Sequence, residues 1–295
     1  MFEYKYKVPK KEIGTTYGSI SIKNIIFEPG EIEKVLPDIV FDDENLKHMF
    51  AEENLNDFKR RNIYRRFIPK TKVPSEIEQF IKESIQTNVS FYSFLAEGIL
   101  GLIFRDLYDY KLAKGVIDIN DTLVDSHTGV DACMYDMENS AIVLGEAKFY
   151  GSLDSGMNRI IDDFIKKNIK NKLESLQTAT ENCPQSNKIV IKNLSLDEYD
   201  EITVEQFMNQ KIIFAGFVLH SEQDISNYGK QEFYNKYTIS VQKLVNNINK
   251  HLKVDGIKGE YEIIMLHLPI RDKKTLISKI IETSQTKLSE MKSNI

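Results

Sequence analysis

Four side chains in this sequence carry the types and spacing that chemistry on a phosphodiester needs: Asp131 in Gly-Val-Asp-Ala, Glu146 and Lys148 in Gly-Glu-Ala-Lys-Phe, and Glu97 in Ala-Glu-Gly-Ile. The stretches Val130–Met137 and Ala141–Phe149 read as two strands joined at Glu138-Asn139, where Asn tolerates the left-handed backbone of a tight turn. In that register Asp131 faces Glu146, and Lys148, two residues on, projects from the same face. Two carboxylates directly opposite each other repel. Their neighbours, among them Ala132, Cys133, Ile142, Leu144 and Ala147, would also hydrate them poorly. Such a pair is costly unless positive charge lies between its members. A divalent cation with oxygen ligands, Mg²⁺ or Mn²⁺, is the expected partner, with Lys148 as a further charge beside it. The chemistry of such a centre is metal-assisted phosphodiester hydrolysis, with Lys148 orienting or helping to deprotonate the attacking water and stabilising the pentacoordinate state.

An E-x-K triplet alone says little, since Glu3-Tyr-Lys5 and Glu290-Met-Lys292 also fit. Neither of those follows an apolar strand bearing an Asp. Glu97 has two readings: it reaches the same cation directly or through water, or it is structural, pairing with Arg105 or capping a neighbouring strand.

The elements that must position these groups follow from periodicity. Tyr17–Phe27 alternates weakly and predicts a strand, and Asp42–Asp57 predicts an acidic helix. A basic stretch follows, with Lys59, Arg60, Arg61, Arg65, Arg66, Lys70 and Lys72 and no acid among them. It is either a solvated face balancing the acidic helix or a surface for DNA phosphates or a docking partner. Pro69 and Pro74 mark a break, and a boundary near Pro74 divides an N-terminal extension, 1–74, from a main domain, 75–295. Beyond it the pattern predicts helices over Glu76–Thr87 and from Ser90 to Tyr110, the latter apolar on more than one face and therefore internal. After the hairpin come a long helix over Gly156–Thr180, a short strand at Lys188–Ile191, a buried strand over Lys211–His220, a helix over 230–252, a strand over 260–268 and a helix from Lys273. Strands alternating with helices predict an α/β layered domain. The charges on the helix after the hairpin (Arg159, Lys166, Lys167, Lys170 and Lys172 against Asp162, Asp163 and Glu174) are expected to form an ordinary amphipathic surface. His127 and His220 are expected to be structural.

With 295 residues, 41% hydrophobic and 28% charged, the chain has the composition of a globular protein. Two cysteines, Cys133 and Cys183, in no metal-ligand spacing argue against a zinc knuckle or a disulfide scaffold and fit a reducing cytoplasm. The N-terminus lacks an apolar signal region, and Phe91–Phe104, the most apolar run, is too short to span a bilayer. A net charge of −5 confines any nucleic-acid contact to local basic patches. No Walker-type phosphate loop is present, so energy from a nucleotide would have to come through a partner.

The layout of Glu97, Asp131, Glu146 and Lys148 resembles that of PD-(D/E)xK nucleases, with Val130 standing where the motif usually has Pro. The longer pattern, over residues 75–270, is similar to the HamA family, nuclease subunits of the bacterial Hachiman anti-phage system. The resemblance implies an α/β restriction-endonuclease-like core, a central mixed sheet flanked by helices, with an N-terminal α+β extension. It further implies a DNA endonuclease of little sequence preference, held inactive by a superfamily-2 helicase subunit (HamB-like) until aberrant or invading DNA is met. Two other readings stay open: a restriction or repair nuclease acting without a helicase, and a catalytically silent adaptor that binds DNA or a helicase.

Overall fold

The structure is a computed structural model and describes residues 2–7, 18–24, 32–50, 55–87, 90–114, 131–166, 169–181, 188, 190–192, 194–197, 201–221, 235, 237–254, 256 and 260–293. Its strands are β1 (Phe2–Lys7), β2 (Gly18–Asn24), β3 (Lys111–Lys114), β4 (Ala132–Asp136), β5 (Ala141–Tyr150), β6 (Lys211–Ser221) and β7 (Tyr261–Ile270). They form one seven-stranded mixed sheet in the order β1-β2-β7-β6-β5-β4-β3. The centre, β2, β7, β6 and β5, is parallel, while β1 and the β4–β3 edge are antiparallel. β6, Lys-Ile-Ile-Phe-Ala-Gly-Phe-Val-Leu-His-Ser, is buried at every interior position, as a parallel strand covered on both faces must be.

One face, the back, carries α1 (Ile32–Val40), α2 (Asp43–Phe50), α3 (Asp57–Arg65), α4 (Pro74–Thr87), α5 (Leu95–Tyr108, entered through a π-turn at Ser90–Phe94) and the C-terminal helix, here α10 (Lys273–Ser293). The other face, the front, carries α6 (Leu153–Lys166), α7 (Ile169–Glu181), α8 (Val204–Met208) and α9 (Thr238–Val254). Each layer has its own apolar cluster, the back one holding Val143, Ala147, Phe217 and Leu266, the front one Leu144, Phe214, Val218 and Met265. Both clusters use alternate residues of the same strands, as the two-residue period of a strand requires.

The hairpin register is the one expected. β4 and β5 pair Ala132 with Gly145 through to Asp136 with Ala141. The connection is longer than a two-residue turn: Met137–Ser140 lie outside the ladder, and the left-handed residue is Ser140 (φ 49°), not Asn139. Lengthening the loop by one residue from each strand leaves the pairing unchanged. Asp136 holds the loop, its Oδ1 accepting from the backbone of Glu138 and Asn139 at 3.1 and 3.0 Å and its Oδ2 from Asn139 Nδ2 at 2.8 Å.

Several expectations are corrected. The helix over Gly156–Thr180 is two, α6 and α7, and Lys188, Val190 and Ile191 are helical where a short strand was expected. The boundary at Pro74 falls at the first residue of α4 and inside one continuous core, because Ile63, Tyr64 and Phe67 before it belong to the same cluster as Phe91, Phe94 and Phe104 after it. The first two strands likewise extend the main sheet through β7. His127, Val130, Lys167 and Cys183 lie outside the described residues, and Cys133 is buried on β4.

Candidate active site

Glu146 projects from β5 toward the front, as Leu144 and Ile142 do one and two pairs earlier. Asp131, immediately before β4, donates its backbone N–H to Gly145 O at 2.9 Å and so continues the ladder by one residue. Its side chain turns the same way: Asp131 Oδ2 accepts from Ala147 N at 2.7 Å and from Lys148 Nζ at 3.3 Å. Asp131, Glu146 and Lys148, picked from the sequence, therefore meet at one place. Lys148 Nζ also lies 3.5 Å from Glu146 Oε2.

Two further groups complete the cluster, and both come from the charges expected to form an ordinary surface. Asp163 of α6 places Oδ2 at 3.3 Å from Lys148 Nζ, and Lys172 of α7 places Nζ at 3.3 Å from Glu146 Oε1. Asp163 is buried, Lys172 is 2% exposed and Glu146 fully enclosed. Lys172 Nζ also stands 4.9 Å from the centroid of the Phe164 ring, which suits a cation deprived of water. The close approach of α6 is permitted by Gly156, where a Cβ would come within 2.3 Å of Val218 Cγ1.

Both residues had a readable signal. Ile169, Lys172, Leu173 and Leu176 are spaced as one apolar stripe, and the buried members of α7 follow it, so Lys172 holds an inward position. Asp163 sits likewise between Ile160 and Phe164, whereas Asp162 is exposed. A charged residue in phase with the apolar stripe was the clue.

Glu97 is half-buried on α5, and α5 packs against the back of β5: a Cβ on Gly145 would meet Leu100 Cδ2 at 2.8 Å. Glu97 thus starts from the layer behind the sheet, and the third carboxylate on Lys148 is Asp163. Lys59, Arg60, Arg61, Arg65 and Arg66 lie on or just after α3, also in the back layer, where Ile63 and Tyr64 face the core. Arg60 Nη1 pairs with Asp43 Oδ2 at 3.2 Å, so part of the stretch does balance the acidic helix before it. His220, at the end of β6, is buried with its Nε2 at 3.2 Å from His267 Nδ1. Burial, and then His220, hold the pKa of His267 well below the ordinary value.

The electrostatics decide what Lys148 can do. Burial pulls its pKa down, but Asp131, Glu146 and Asp163 outweigh burial and raise it above the ordinary lysine value. Lys148 is therefore a fixed cation in this arrangement, suited to holding an oxyanion or orienting water and not to accepting a proton. The donor set of Asp131, Glu146 and Asp163, three hard carboxylates on one buried wall, suits a divalent cation. As the side chains stand, their oxygens surround an ammonium, and among the described residues no group of three His, Cys, Asp or Glu is drawn together closely enough to ligate an ion.

A mixed sheet between two helical layers, with an acid–acid–lysine cluster across an antiparallel hairpin, defines a restriction-endonuclease-like α/β protein. The HamA family model matches residues 31–283, most of the sequence. The chain belongs to the HamA family, and its role is in anti-phage defence of the Hachiman type. No curated protein and no solved structure matches it. Among the described residues, no helix is long and apolar enough to cross a membrane.

Proposed function

We propose that the chain is the nuclease of its defence complex, a metal-dependent deoxyribonuclease that cuts DNA with little sequence preference under the control of a superfamily-2 helicase subunit. The observation that carries this reading is the convergence of Asp131, Glu146 and Asp163 on the Lys148 ammonium at 3.3–3.5 Å, with Glu146 fully enclosed. In this reading Asp131 and Glu146 hold Mg²⁺ or Mn²⁺, and Asp163 takes the third carboxylate role that the sequence had given to Glu97. A bound cation would supply Lewis-acid activation of water and neutralise charge on the phosphoryl oxygens. Lys148, beside these carboxylates, is placed to orient the attacking water and to stabilise the charge that develops as the scissile bond breaks. The family match supports the defence setting and, through it, the helicase partner. DNA backbone contacts fall to basic side chains, with the α3 stretch, Lys59 to Arg66, as a surface for DNA or for the partner.

The test is a plasmid digest with and without Mg²⁺ on the complex with its helicase, comparing wild type with Glu146→Gln and Lys148→Met. Both variants should lose cleavage by at least about a hundredfold, the scale of losing one transition-state stabilising group. Cleavage persisting at wild-type rate in both, with the metal present, rejects the assignment.

A further inference from the structure

Lys172 belongs to no part of the E-x-K motif, yet it is the most deeply buried lysine among the described residues and touches the central carboxylate of the site. Its position is built: the stripe of α7 turns it inward, the Phe164 ring lies under its ammonium, and Glu146 Oε1 accepts at 3.3 Å.

The ion pairs of the cluster join the carboxylates of Asp131, Glu146 and Asp163 to the cations of Lys148, Lys172 and Arg159. Two ammonium groups, Lys148 at 3.5 Å and Lys172 at 3.3 Å, stand on the one enclosed carboxylate of Glu146. A dication held by Glu146 would share that poorly hydrated carboxylate with the Lys172 ammonium, and like charges brought so close repel strongly. Of the three cations, Arg159 is half in solvent and Lys148 is held by three acids, while Lys172 bears directly on Glu146.

We propose that Lys172 is an internal counter-ion that closes the site in its metal-free state, and that cation binding requires its ammonium to leave Glu146. This rests on reading the cluster as a metal site, and it adds a regulatory step to that site. The resting enzyme is stabilised by a lysine standing in for the metal, and the first turn of α7 is the element that must give way for activation. Anything that draws the start of α7 from the sheet, a partner subunit included, would raise metal affinity and switch the site on. Lys172 is thus a positioning residue acting through Glu146, not a group that meets substrate.

The experiment measures Mn²⁺ binding by titration calorimetry on the purified full chain, for wild type, Lys172→Met and Lys172→Gln, with circular dichroism as the check on folding. Lys172→Met should bind Mn²⁺ at least about tenfold more tightly than wild type, the factor that about 1.4 kcal/mol represents. Lys172→Gln keeps a hydrogen-bond donor for Glu146 without the charge and should move the same way, which covers the case of a poorly folded Met variant. Lys172→Arg keeps the charge and should bind as wild type does. Wild type binding Mn²⁺ while both neutral variants bind no better overturns the counter-ion role and leaves the nuclease reading standing. Absence of binding in wild type and in both neutral variants overturns the role together with the metal site.

Discussion

The two faces of β5 begin alike and end differently. On the back, Val143, Ala147 and Phe149 meet α5 and its neighbours in an unbroken apolar layer. On the front, Ile142 and Leu144 are equally apolar, and then Glu146 and Lys148 meet Asp163 and Lys172 where the next two apolar pairs would fall. The back face gains about 1.5–3 kcal/mol for each large side chain taken fully out of water. The front face gains little by comparison, since the desolvation of buried ions offsets most of their attraction. An ionic cluster placed where apolar packing would serve the fold better is the feature on which the proposed nuclease reading rests.

The difference can be broken at both faces. Leu100→Ala, on the back, should cost about 2–5 kcal/mol through the cavity it leaves. Glu146→Ala should cost about 3–5 kcal/mol by leaving Lys172 buried without its carboxylate. The loss at the front should be partly recovered in Glu146→Ala/Lys172→Met, because the second change removes the stranded charge. Adding Lys172→Met to Leu100→Ala should recover nothing. Urea denaturation of these four variants and of Lys172→Met alone decides it: strict additivity of Glu146→Ala and Lys172→Met would dissolve the ionic unit.

Much of this contrast was legible before any coordinates. The hairpin register followed from the alternation of β4 and β5, and it survived an error in the turn, because a loop that grows symmetrically moves no pair. Asp131, Glu146 and Lys148 could be placed together because a strand's period is simple and both strands are local. Asp163 and Lys172 showed their inward direction by their phase with the apolar stripes of α6 and α7, but the point of the sheet those stripes meet depends on how the two helices dock on it, which no local pattern gives. Glu97 stayed open for a related reason: an apolar helix with one acid gives no sign of which face of the sheet it will cover. The place of β1 and β2 in the sheet was harder still, because it depends on the pairing of β2 with β7, which spans nearly the whole chain and leaves no local trace.

Acid tests the two layers by another route. His48, half-buried on α2 in the back layer, has its pKa lowered from 6.5 to about 4, by burial first and then by Arg105. His267, in the front layer beside His220, is lowered well below its ordinary value, also by burial first. A depressed pKa means that the unfolded chain takes up the proton before the folded one does, so stability is greatest above about pH 6.5 and falls as pH drops toward 4. The melting temperature should decline over that window. The decline should be shallower in His48→Gln and in His267→Gln, and a slope unchanged in both would show that neither ring is held neutral by burial.

The smallest effect is expected at Arg159, and it isolates what burial does. Asp163 Oδ2 lies 3.4 Å from Arg159 Nε and 3.3 Å from Lys148 Nζ, so one oxygen serves two cations at nearly equal distance. Arg159 is 47% exposed and Lys148 19%. Coulomb attraction at a fixed distance scales inversely with the local dielectric, and water screens the first pair far more than the second. Arg159→Gln should therefore cost only about 0.3–0.5 kcal/mol, the usual worth of an exposed pair one helical turn apart, and less in high salt. Lys148→Gln, at the same oxygen, should cost several times more and respond weakly to salt. Urea denaturation at two ionic strengths separates the cases. Equal losses for the two variants would mean that the mouth of the cluster is as dry as its floor, and the counter-ions would then have to be treated as one buried network from Arg159 to Lys172.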